Sequence, residues 1–522
     1  MRDNVFTETG LSYNPVSGQR TEYDWNAAGI THGAFVSDTW KISPKITLNY
    51  GLRWDDYGNP YSRSANTAFG NFFPGTGSTF QQQIANGAVV AHSHALNRSI
   101  TDIFSPRAGI AWNPDGNGKW LIKGGAGFFH NWPTLANLQE QYRGNPPGNI
   151  FPTFFAGQTP GPLFALGTGN EKPYGYPSPA LPARPLNAQG GLTGLQFSIG
   201  GIDANLKTPV TYTYSGGVER QLGPRLVGTL LYSGSRGLYM LSGGGQVFNV
   251  SYGQDINVFA GDLILHNSTV PTRLNTSFGS VFYTRNDRAS DYNAFVAAVR
   301  GRFKRAFFSA SYTRSRSQDD TQVFPTYINP RHYYGPSNWD APNRFSLAWN
   351  YQVPDYNGAR GLLGRAASGW QVSGTTILQS GNPFNIYTSA TFANGGDYNA
   401  NGDNYDFPNV ASYTQNNSRT AYRRGGTGTV SATNFSKPTP GTDGNELFNS
   451  FRGPGFEQWD ASLLKNTPIT ESVRFQLRFE FFNVLNHPNL TGVTTDQSNG
   501  NFGRTTGQAT PRFLQIGGNL TF

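Results

Sequence analysis

The sequence has no cysteine, only two methionines and no long apolar run. A helix that crosses a bilayer needs about 18 or more consecutive apolar residues, so a helical membrane protein is excluded. The lack of thiols suits a chain that passes through an oxidising compartment. Charged residues make up only 14% of the chain, and aromatic residues make up another 14%. Because a disordered chain would be poor in aromatic residues, we expect a folded protein.

Motifs for catalysis and for nucleic-acid binding are also missing. The seven histidines are dispersed without metal-ligand spacing. The sequence contains no Gly-x-Ser-x-Gly elbow and no phosphate-binding loop. The net charge is +9, but the lysines and arginines are scattered and form no basic run. We therefore expect neither an enzyme nor a nucleic-acid-binding protein, and no cofactor apart from the calcium ion considered below.

The clearest pattern present is a two-residue alternation near the carboxy terminus. One face of residues 473–482 carries Val473, Phe475, Leu477, Phe479 and Phe481, and the other carries Arg474, Gln476, Arg478, Glu480 and Phe482. Only a β-strand places alternate residues on opposite faces. The chain then ends with Ile516, Gly518, Leu520 and Phe522 on one side of a second such stretch. This ending resembles the signal that the barrel assembly machinery reads in the last strand of bacterial outer-membrane barrels.

The same alternation recurs from residue 31 onwards, with short and long connections in strict alternation. The short connections are 43–45, 114–118, 222–224, 304–306, 354–367 and 467–471, and the long ones are 58–103, 131–206, 240–291, 318–341, 380–456 and 484–510. Outer-membrane barrels have short periplasmic turns and long extracellular loops. We therefore predict an all-β fold, an antiparallel transmembrane β-barrel with about 14 visible strands that is part of a larger barrel. Residues 31–522 form this barrel, and the poorly patterned residues 1–30 hold one candidate strand, Val5 to Tyr13.

Side chains along the predicted strands fit this interpretation. Aromatic residues lie near strand ends, as interfacial girdle residues do: Trp40, Trp112, Trp120, Tyr351, Trp370 and Trp459. The alternation turns a set of charged residues towards the interior, namely Arg53, Asp55, Arg107, Lys123, Glu219, Arg344, Arg474, Arg478 and Glu480. They either line a substrate path or grip a plug, or they are the paired charges of any wide, wet barrel interior.

Several segments resemble a known family. Phe35-Val36-Ser37-Asp38-Thr39-Trp40-Lys41, followed by residues 48–54, is similar to the barrel of TonB-dependent receptors, and most closely to the Oar-like branch that carries a carboxypeptidase-regulatory-like domain. Further matching segments are 105–109, 123–127, 232–237, 369–374, 380–384 and 478–488. The resemblance implies uptake of a bulky substrate across the outer membrane of a Gram-negative bacterium. It also implies a signal peptide, a TonB-binding motif and a plug, which we expect in upstream sequence because residues 1–30 do not contain them.

One loop segment resembles the start of a calcium-binding loop. Asp397, Asn399, Asn401 and Asp403 offer oxygen ligands at alternate positions, with Gly402 at the sixth place. The twelfth place is Pro408 rather than a glutamate. The segment is therefore either a calcium site in an extracellular loop or a plain Asn/Asp/Gly turn.

Three functions remain open from the sequence. The first is a TonB-dependent receptor, whose partners would be outer-membrane lipid and lipopolysaccharide, the barrel assembly machinery, the TonB system and an unknown substrate. The second is a barrel for surface adhesion or matrix interaction, whose long loops bind by stacking and hydrogen bonding. The third is a secreted all-β protein that binds or hydrolyses carbohydrate, in which the strand aromatics are core residues of sandwiches.

Overall fold

The fold is described from a computed structural model of the chain. It describes residues 7–8, 12–21, 27–63, 69–132, 145–146, 148, 154–155, 183–241, 254–257, 273–321, 333–355, 361–388, 398, 406–423, 425–439 and 442–522.

Thirteen long strands form one antiparallel sheet in which each strand pairs with the next one along the chain. They are β1 (His32–Ser43), β2 (Ile46–Asp56), β3 (Ile103–Trp112), β4 (Trp120–His130), β5 (Val210–Gly223), β6 (Leu226–Met240), β7 (Arg288–Arg302), β8 (Ala306–Asp319), β9 (Asn343–Gln352), β10 (Trp370–Gln379), β11 (Phe456–Pro468), β12 (Arg474–Phe482) and β13 (Phe513–Thr521). The two-residue segment Gly335–Pro336 adds a fourteenth member by pairing with the end of β8. The antiparallel, strand-dominated fold predicted from the alternation is therefore confirmed. β1 and β13 are the two edges of the sheet, which is open in this structure.

The strand register collects the apolar residues on one face. Leu48 of β2 lies opposite Trp40 of β1 and opposite Ile110 of β3. At the other edge, Phe479 of β12 lies opposite Leu463 and Ile516. Directly opposite residues share a face, and a slip of one residue would reverse a whole strand. We call the face that carries these residues the apolar face, and the reverse side, which carries Asn49 and Arg107 among others, the polar face.

The connections differ sharply between the two ends of the sheet. At one end they are short: 44–45, 113–119, 224–225, 303–305, 353–369 and 469–473. At the other end they are long: 57–102, 131–209, 241–287, 320–342, 380–455 and 483–512. We call these the short-turn end and the long-loop end. In the described part of the chain, no helix combines the length and the apolarity needed to cross a bilayer.

The long connections contain small elements that the sequence does not predict. The helices are α1 (Phe80–Ala85) and α3 (Arg419–Tyr422), while α2 (Gly361–Ala367) lies in the longest of the short-turn connections. Phe69–Phe73 pairs with Ala88–His92, Leu490–Val493 pairs with Thr505–Gln508, and Val281–Thr284 lies between Ile199–Ile202 and Gln254–Asp255. These strands are two to five residues long, too short for a periodic pattern to identify them.

Two groups of long connections have hydrophobic cores of their own. The first group joins 57–102, 131–209 and 241–287 around Phe72, Ile84, Ile199, Phe278 and Val281. The second joins 320–342, 380–455 and 483–512, with clusters around Ile386, Phe407, Phe435, Phe448 and Phe451. Buried asparagines cross-link the first group, since the side chain of Asn71 bonds both backbone groups of Ile202 at 2.9 Å. We call these assemblies the first and second loop layers.

The structure describes the amino-terminal segment only in part. Its described pieces pair outside the large sheet, Thr7–Glu8 with Phe154–Phe155 and Ser12–Tyr13 with Arg20–Thr21. Tyr13 is buried. The described residues of the candidate strand Val5 to Tyr13 lie outside the large sheet, and the rest of that strand lies outside the described ranges.

A pair of neighbouring positions tests the assignment of the two faces. Phe295, at the middle of β7, lies on the apolar face and is 45% exposed, whereas Val296 lies on the polar face opposite Leu231 and Thr313. An arginine on a lipid-facing surface at mid-membrane costs about 2–4 kcal/mol. We expect Phe295→Arg to lower the folded, heat-modifiable fraction in membrane preparations strongly, and Val296→Arg to lower it much less. Equal losses, or the reverse order, would show that the apolar face does not contact lipid.

Candidate functional site

All nine charged residues selected from the sequence lie on the polar face of the sheet. Arg53 and Asp55 are on β2, Arg107 on β3, Lys123 on β4, Glu219 on β5, Arg344 on β9, and Arg474, Arg478 and Glu480 on β12. The register places them on one side because each strand keeps the alternation of its neighbour. Whether that side borders an aqueous interior stays a prediction.

Arg53 and Asp55 form an ion pair along β2. They are two residues apart and therefore on the same face, and Arg53 Nη2 lies 2.6 Å from Asp55 Oδ1. Gly33 of β1 lies directly opposite Asp55, and a Cβ there would come within 2.9 Å of both charged groups. The glycine gives the pair room to lie across the neighbouring strand. Asp55 is buried beneath it, whereas the Arg53 side chain remains 54% exposed.

A second charge cluster spans four strands. Glu219 of β5 pairs with Lys123 of β4 through one carboxylate oxygen, and its other oxygen lies 3.8 Å from Arg300 of β7. β6 lies between β5 and β7 and contributes Thr229 opposite Glu219. One carboxylate thus faces two cations, leaving a net positive charge at this point of the polar face.

Arg107 lies between two glycines. Gly51 of β2 and Gly127 of β4 are its direct cross-strand partners, and a Cβ on either would lie 3.3 Å from an Arg107 side-chain atom. The neighbouring strands therefore present bare backbone beside the long arginine side chain. This arrangement lets the guanidinium lie along the sheet.

The remaining candidates lie apart from these clusters. Arg344 of β9 donates to the Gln379 side chain directly opposite it on β10. Arg478 and Glu480 share the polar face of β12, and Arg478 lies opposite Leu464 and Gly517. The candidates thus form a spread of charge across the face, and the structure does not gather them into a single site.

The sequence analysis did not select two further charged residues of the polar face, Arg300 and Asp460. Arg300 completes the Glu219 cluster. Asp460 of β11 accepts a 2.9 Å hydrogen bond from the backbone N–H of Asn483, a residue with φ of +49° that ends β12. The alternation along β7 and β11 would have assigned both residues to the polar face, because each lies next to an apolar-face residue.

A buried ion pair joins connections within the second loop layer. The Arg452 guanidinium pairs with the Asp340 carboxylate and also donates to the backbone oxygens of Asp340 (2.7 Å) and Gly381 (3.2 Å). Asp340 is almost fully buried. These contacts tie three loop segments that are far apart in the sequence.

Glu446 is a second buried carboxyl in this layer. Its side chain is fully buried, Oε1 accepts a 2.9 Å hydrogen bond from Ile386 N–H, and Oε2 has no partner in the described structure. Burial raises the pKa of the Glu446 carboxyl well above its ordinary value of 4.5, and the hydrogen bond from Ile386 opposes this only in part. Burial therefore disfavours the ionised form of Glu446 in the folded chain.

The calcium hypothesis falls on residues that the structure does not describe. Asp397, Asn399, Asn401 and Asp403 all lie outside the described ranges. Within those ranges, Tyr398 N–H donates to the Asp406 carboxylate. No group of three or more histidine or acidic side chains among the described residues could hold a metal ion. A calcium site in this loop stays a prediction.

The terminal signal residues lie on the edge strand. Ile516, Gly518 and Leu520 alternate on the apolar face of β13, opposite residues of β12. Ile516 and Leu520 are exposed, and Phe522 just beyond the strand is 87% exposed. The segment is thus an accessible apolar row along a sheet edge. Its recognition by the assembly machinery stays a prediction.

Comparison with protein families now adds to the geometry. The family model described as "Outer membrane beta barrel domain" matches residues 9–515, nearly the whole chain. The chain belongs to this outer-membrane β-barrel family. The protein is accordingly located in the outer membrane of a Gram-negative bacterium. Barrels of this kind turn an apolar face to lipid. A search of curated proteins finds no match.

Solved structures similar to this outer-membrane barrel are distant. They include the ferripyoverdine receptor of the Pseudomonas aeruginosa outer membrane (11% identity, TM-score 0.39, 94% of this chain and 38% of that one). They also include the outer membrane transporter YddB from Escherichia coli (10% identity, TM-score 0.43, 95% of this chain and 54% of that one). A third is the FrpB iron transporter from Neisseria meningitidis (10% identity, TM-score 0.42, 94% of this chain and 45% of that one). The chain spans between about two fifths and just over half of the length of these proteins.

The buried Glu446 predicts a pH dependence of the second loop layer. Because the pKa of Glu446 is raised in the folded state, the folded layer binds more protons than the unfolded one. The free energy of unfolding therefore falls as pH rises above about 4.5. The slope is on the order of 1 kcal/mol per pH unit until the folded-state pKa is passed. We expect backbone amide exchange in residues 442–455 to slow as pH falls from 8 to 5, after correction for the intrinsic exchange rate.

Glu446→Gln keeps an oxygen for Ile386 N–H and carries no charge, so it should slow exchange at pH 8 and flatten the pH dependence. Glu471→Gln, at an exposed turn position, is the matched control and should behave as the wild type does. A Glu446→Gln profile parallel to the wild-type profile would contradict the assignment.

Proposed function

We propose that this chain is the barrel of a TonB-dependent outer-membrane receptor that takes up a bulky substrate. The observation that carries the proposal is the charged polar face running across thirteen long strands. Barrels of 16–22 strands enclose an aqueous channel or a plugged lumen, whereas small barrels are filled by their own side chains. A sheet this wide with charge on one face fits the wide class.

The segments that resemble TonB-dependent receptors support the same function. Residues 35–41, 48–54 and 105–109 lie in β1, β2 and β3, and residues 123–127 and 232–237 lie in β4 and β6. The resemblance therefore follows the strands of one sheet in order.

The odd number of long strands in the described sheet supports a larger barrel. Every pairing between the thirteen long strands is antiparallel, so β1 and β13 run in the same direction. Single-chain bacterial barrels have an even number of antiparallel strands. We infer that further strands complete the barrel and that this sheet is the carboxy-terminal part of an Oar-like receptor whose plug and TonB-binding motif belong to other sequence.

The two ends of the sheet then have different surroundings. We place the short-turn end in the periplasm and the two loop layers outside the cell, where they contact the substrate and neighbouring lipopolysaccharide. Two cations, Lys123 and Arg300, face the single carboxylate of Glu219, and Arg107 adds a further cation to the same face. We therefore propose that the substrate carries negative charge. We further propose that the barrel assembly machinery recognises β13 through Ile516, Leu520 and Phe522.

One observation favours surface adhesion as a second candidate. Trp339, in the long connection 320–342, is 77% exposed, and Leu447 in the same loop layer is 59% exposed. Exposed aromatic and aliphatic side chains on outward loops are suited to binding a matrix or another cell.

Uptake by intact cells tests the proposal. Cells that express the protein are supplied with a mixture of peptides and glycans, and loss of each component from the medium is followed by mass spectrometry, with and without a functional tonB gene. We expect depletion of specific, predominantly anionic components that requires both the protein and tonB.

The possible results separate the hypotheses. Depletion that persists without tonB indicates a passive pore and overturns energised transport. Retention on the cell surface without internalisation, abolished by Trp339→Ala, indicates adhesion. Arg107→Glu reverses a charge on the polar face and should shift the depleted components away from anions. Arg365→Glu, on the short α2 helix, is the matched control and should leave the depleted components unchanged.

A further inference from the structure

The apolar face is interrupted by one groove beside the short-turn end. It encloses about 550 Å³ and crosses β5 to β9. Small residues form its floor, namely Gly228 of β6, Ala297 of β7 and Ala310 of β8, and larger ones form its walls, among them Leu230, Tyr312 and Phe345. Gly228 and Ala310 both lie opposite Val299 of β7, and Ala297 is two residues from Val299 on the same face of that strand. The groove is thus a depression with a floor of small residues between larger side chains.

A cation lies at one end of this groove. Arg220 of β5 is directly opposite Gly228 and directly opposite Trp120 of β4. Its guanidinium stacks over the Trp120 ring, 4.5 Å from the centroid, and the side chain is exposed. Stacking fixes the plane of a guanidinium and leaves its N–H groups available to an anion. Among the ion pairs of the described residues, none includes Arg220.

The lining residues of the groove lie farther from the short-turn end as their distance from Arg220 increases. Gly228 lies two residues from the short-turn end of its strand, Ala310 lies four from the corresponding end of β8, and Phe345 lies seven from that of β9. At about 3.3 Å per residue, the far end of the groove is therefore well inside the bilayer core while Arg220 stays at the interface level. Its span across β5 to β9 is roughly 19 Å, four spacings between strands, which is close to the length of an acyl chain.

We propose that this groove is a specific binding site for a glycerophospholipid. The phosphate lies against the Arg220 guanidinium, and one acyl chain lies over Gly228, Ala297 and Ala310 towards Phe345. A charged head at the interface joined to an apolar tail inside the bilayer is the shape and polarity of such a lipid. The proposal rests on the outer-membrane location of the family and is independent of substrate uptake.

The experiment is native mass spectrometry of the purified chain released from detergent micelles after titration with phosphatidylglycerol or with diacylglycerol. The wild type should retain one phosphatidylglycerol. Arg220→Ala should weaken its retention about tenfold, which is the value of a charge-assisted hydrogen bond, and Arg220→Lys should restore part of it. Ala297→Phe fills the floor and should abolish retention of both lipids. Diacylglycerol lacks the phosphate, so Arg220→Ala should leave its retention unchanged.

Two matched controls guard against general effects. Gly216→Phe places a phenyl ring on the apolar face outside the groove, at a position where a Cβ meets no atom within 4 Å. Lys465→Ala removes the cation of a second pair at the short-turn end, in which Lys465 lies 5.6 Å from the Trp370 ring and donates to the backbone of residues 365 and 368. Both controls should retain phosphatidylglycerol within about twofold of the wild type. Heat-modifiable mobility shows that each variant is folded.

Three results would overturn the proposal. Equal retention by the wild type, Arg220→Ala and Ala297→Phe would mean non-specific annular lipid. Equal weakening of both lipids by Arg220→Ala would show that the arginine acts on the fold. Protection of the thiol of an Ala297→Cys variant from maleimide labelling by a co-purifying protein would assign the groove to a protein partner.

Discussion

The structure depends on one constraint, the register that is carried without a slip across the central part of every strand pair. Residues that lie opposite one another share a face, so an error of one residue in any pairing would exchange the apolar and polar sides of all strands beyond it. The register does shift three times, between Lys41 and Ser43, between Gln221 and Gly223, and between Leu238 and Met240. Each shift lies at the end of a strand, the first two beside tight turns at the short-turn end and the third at the long-loop end of β6. The irregularities therefore stay at the strand ends and do not reverse the faces in the central part of the sheet.

The same register explains how a sheet of tightly spaced strands carries long charged side chains. Gly33 lies opposite Asp55, and Gly51 and Gly127 lie on the two sides of Arg107. Removing the side chain from the neighbouring strand gives each charge space to extend along the sheet. Glycine weakens a strand taken alone, but here the backbone is already paired on both sides, so its conformational cost is offset by the ladder.

Much of this architecture could be predicted from the sequence, because a strand with one face in lipid has to alternate. Residues 46–55 and 473–482 show that alternation plainly, and both correspond to strands of the sheet. The sign and side of the charged candidates follow from the same period. Arg300 and Asp460 could have been selected by extending it along β7 and β11.

The loop layers could not be predicted in this way. Asn71 bonds Ile202 across 131 positions and Arg452 meets Asp340 across 112, and no local pattern encodes either contact. The strands in these layers are too short to show a period. Glu446 looks like an ordinary polar loop residue in the sequence, and only the fold reveals that it is fully buried.

Exposure separates the charges that hold the fold from those available to a ligand. The Lys123 side chain is 43% exposed and its partner Glu219 is 20% exposed, so solvent screens this pair and its contribution to stability is small. The Asp55 side chain is only 7% exposed, so loss of Arg53 would leave a buried charge without its partner. Asp340 is only 3% exposed at its side chain, and loss of Arg452 would leave a buried charge without compensation. The loop-layer pair is therefore structural. The exposed cations of the polar face, among them Lys123 and Arg300, cost little to rearrange because solvent already screens them.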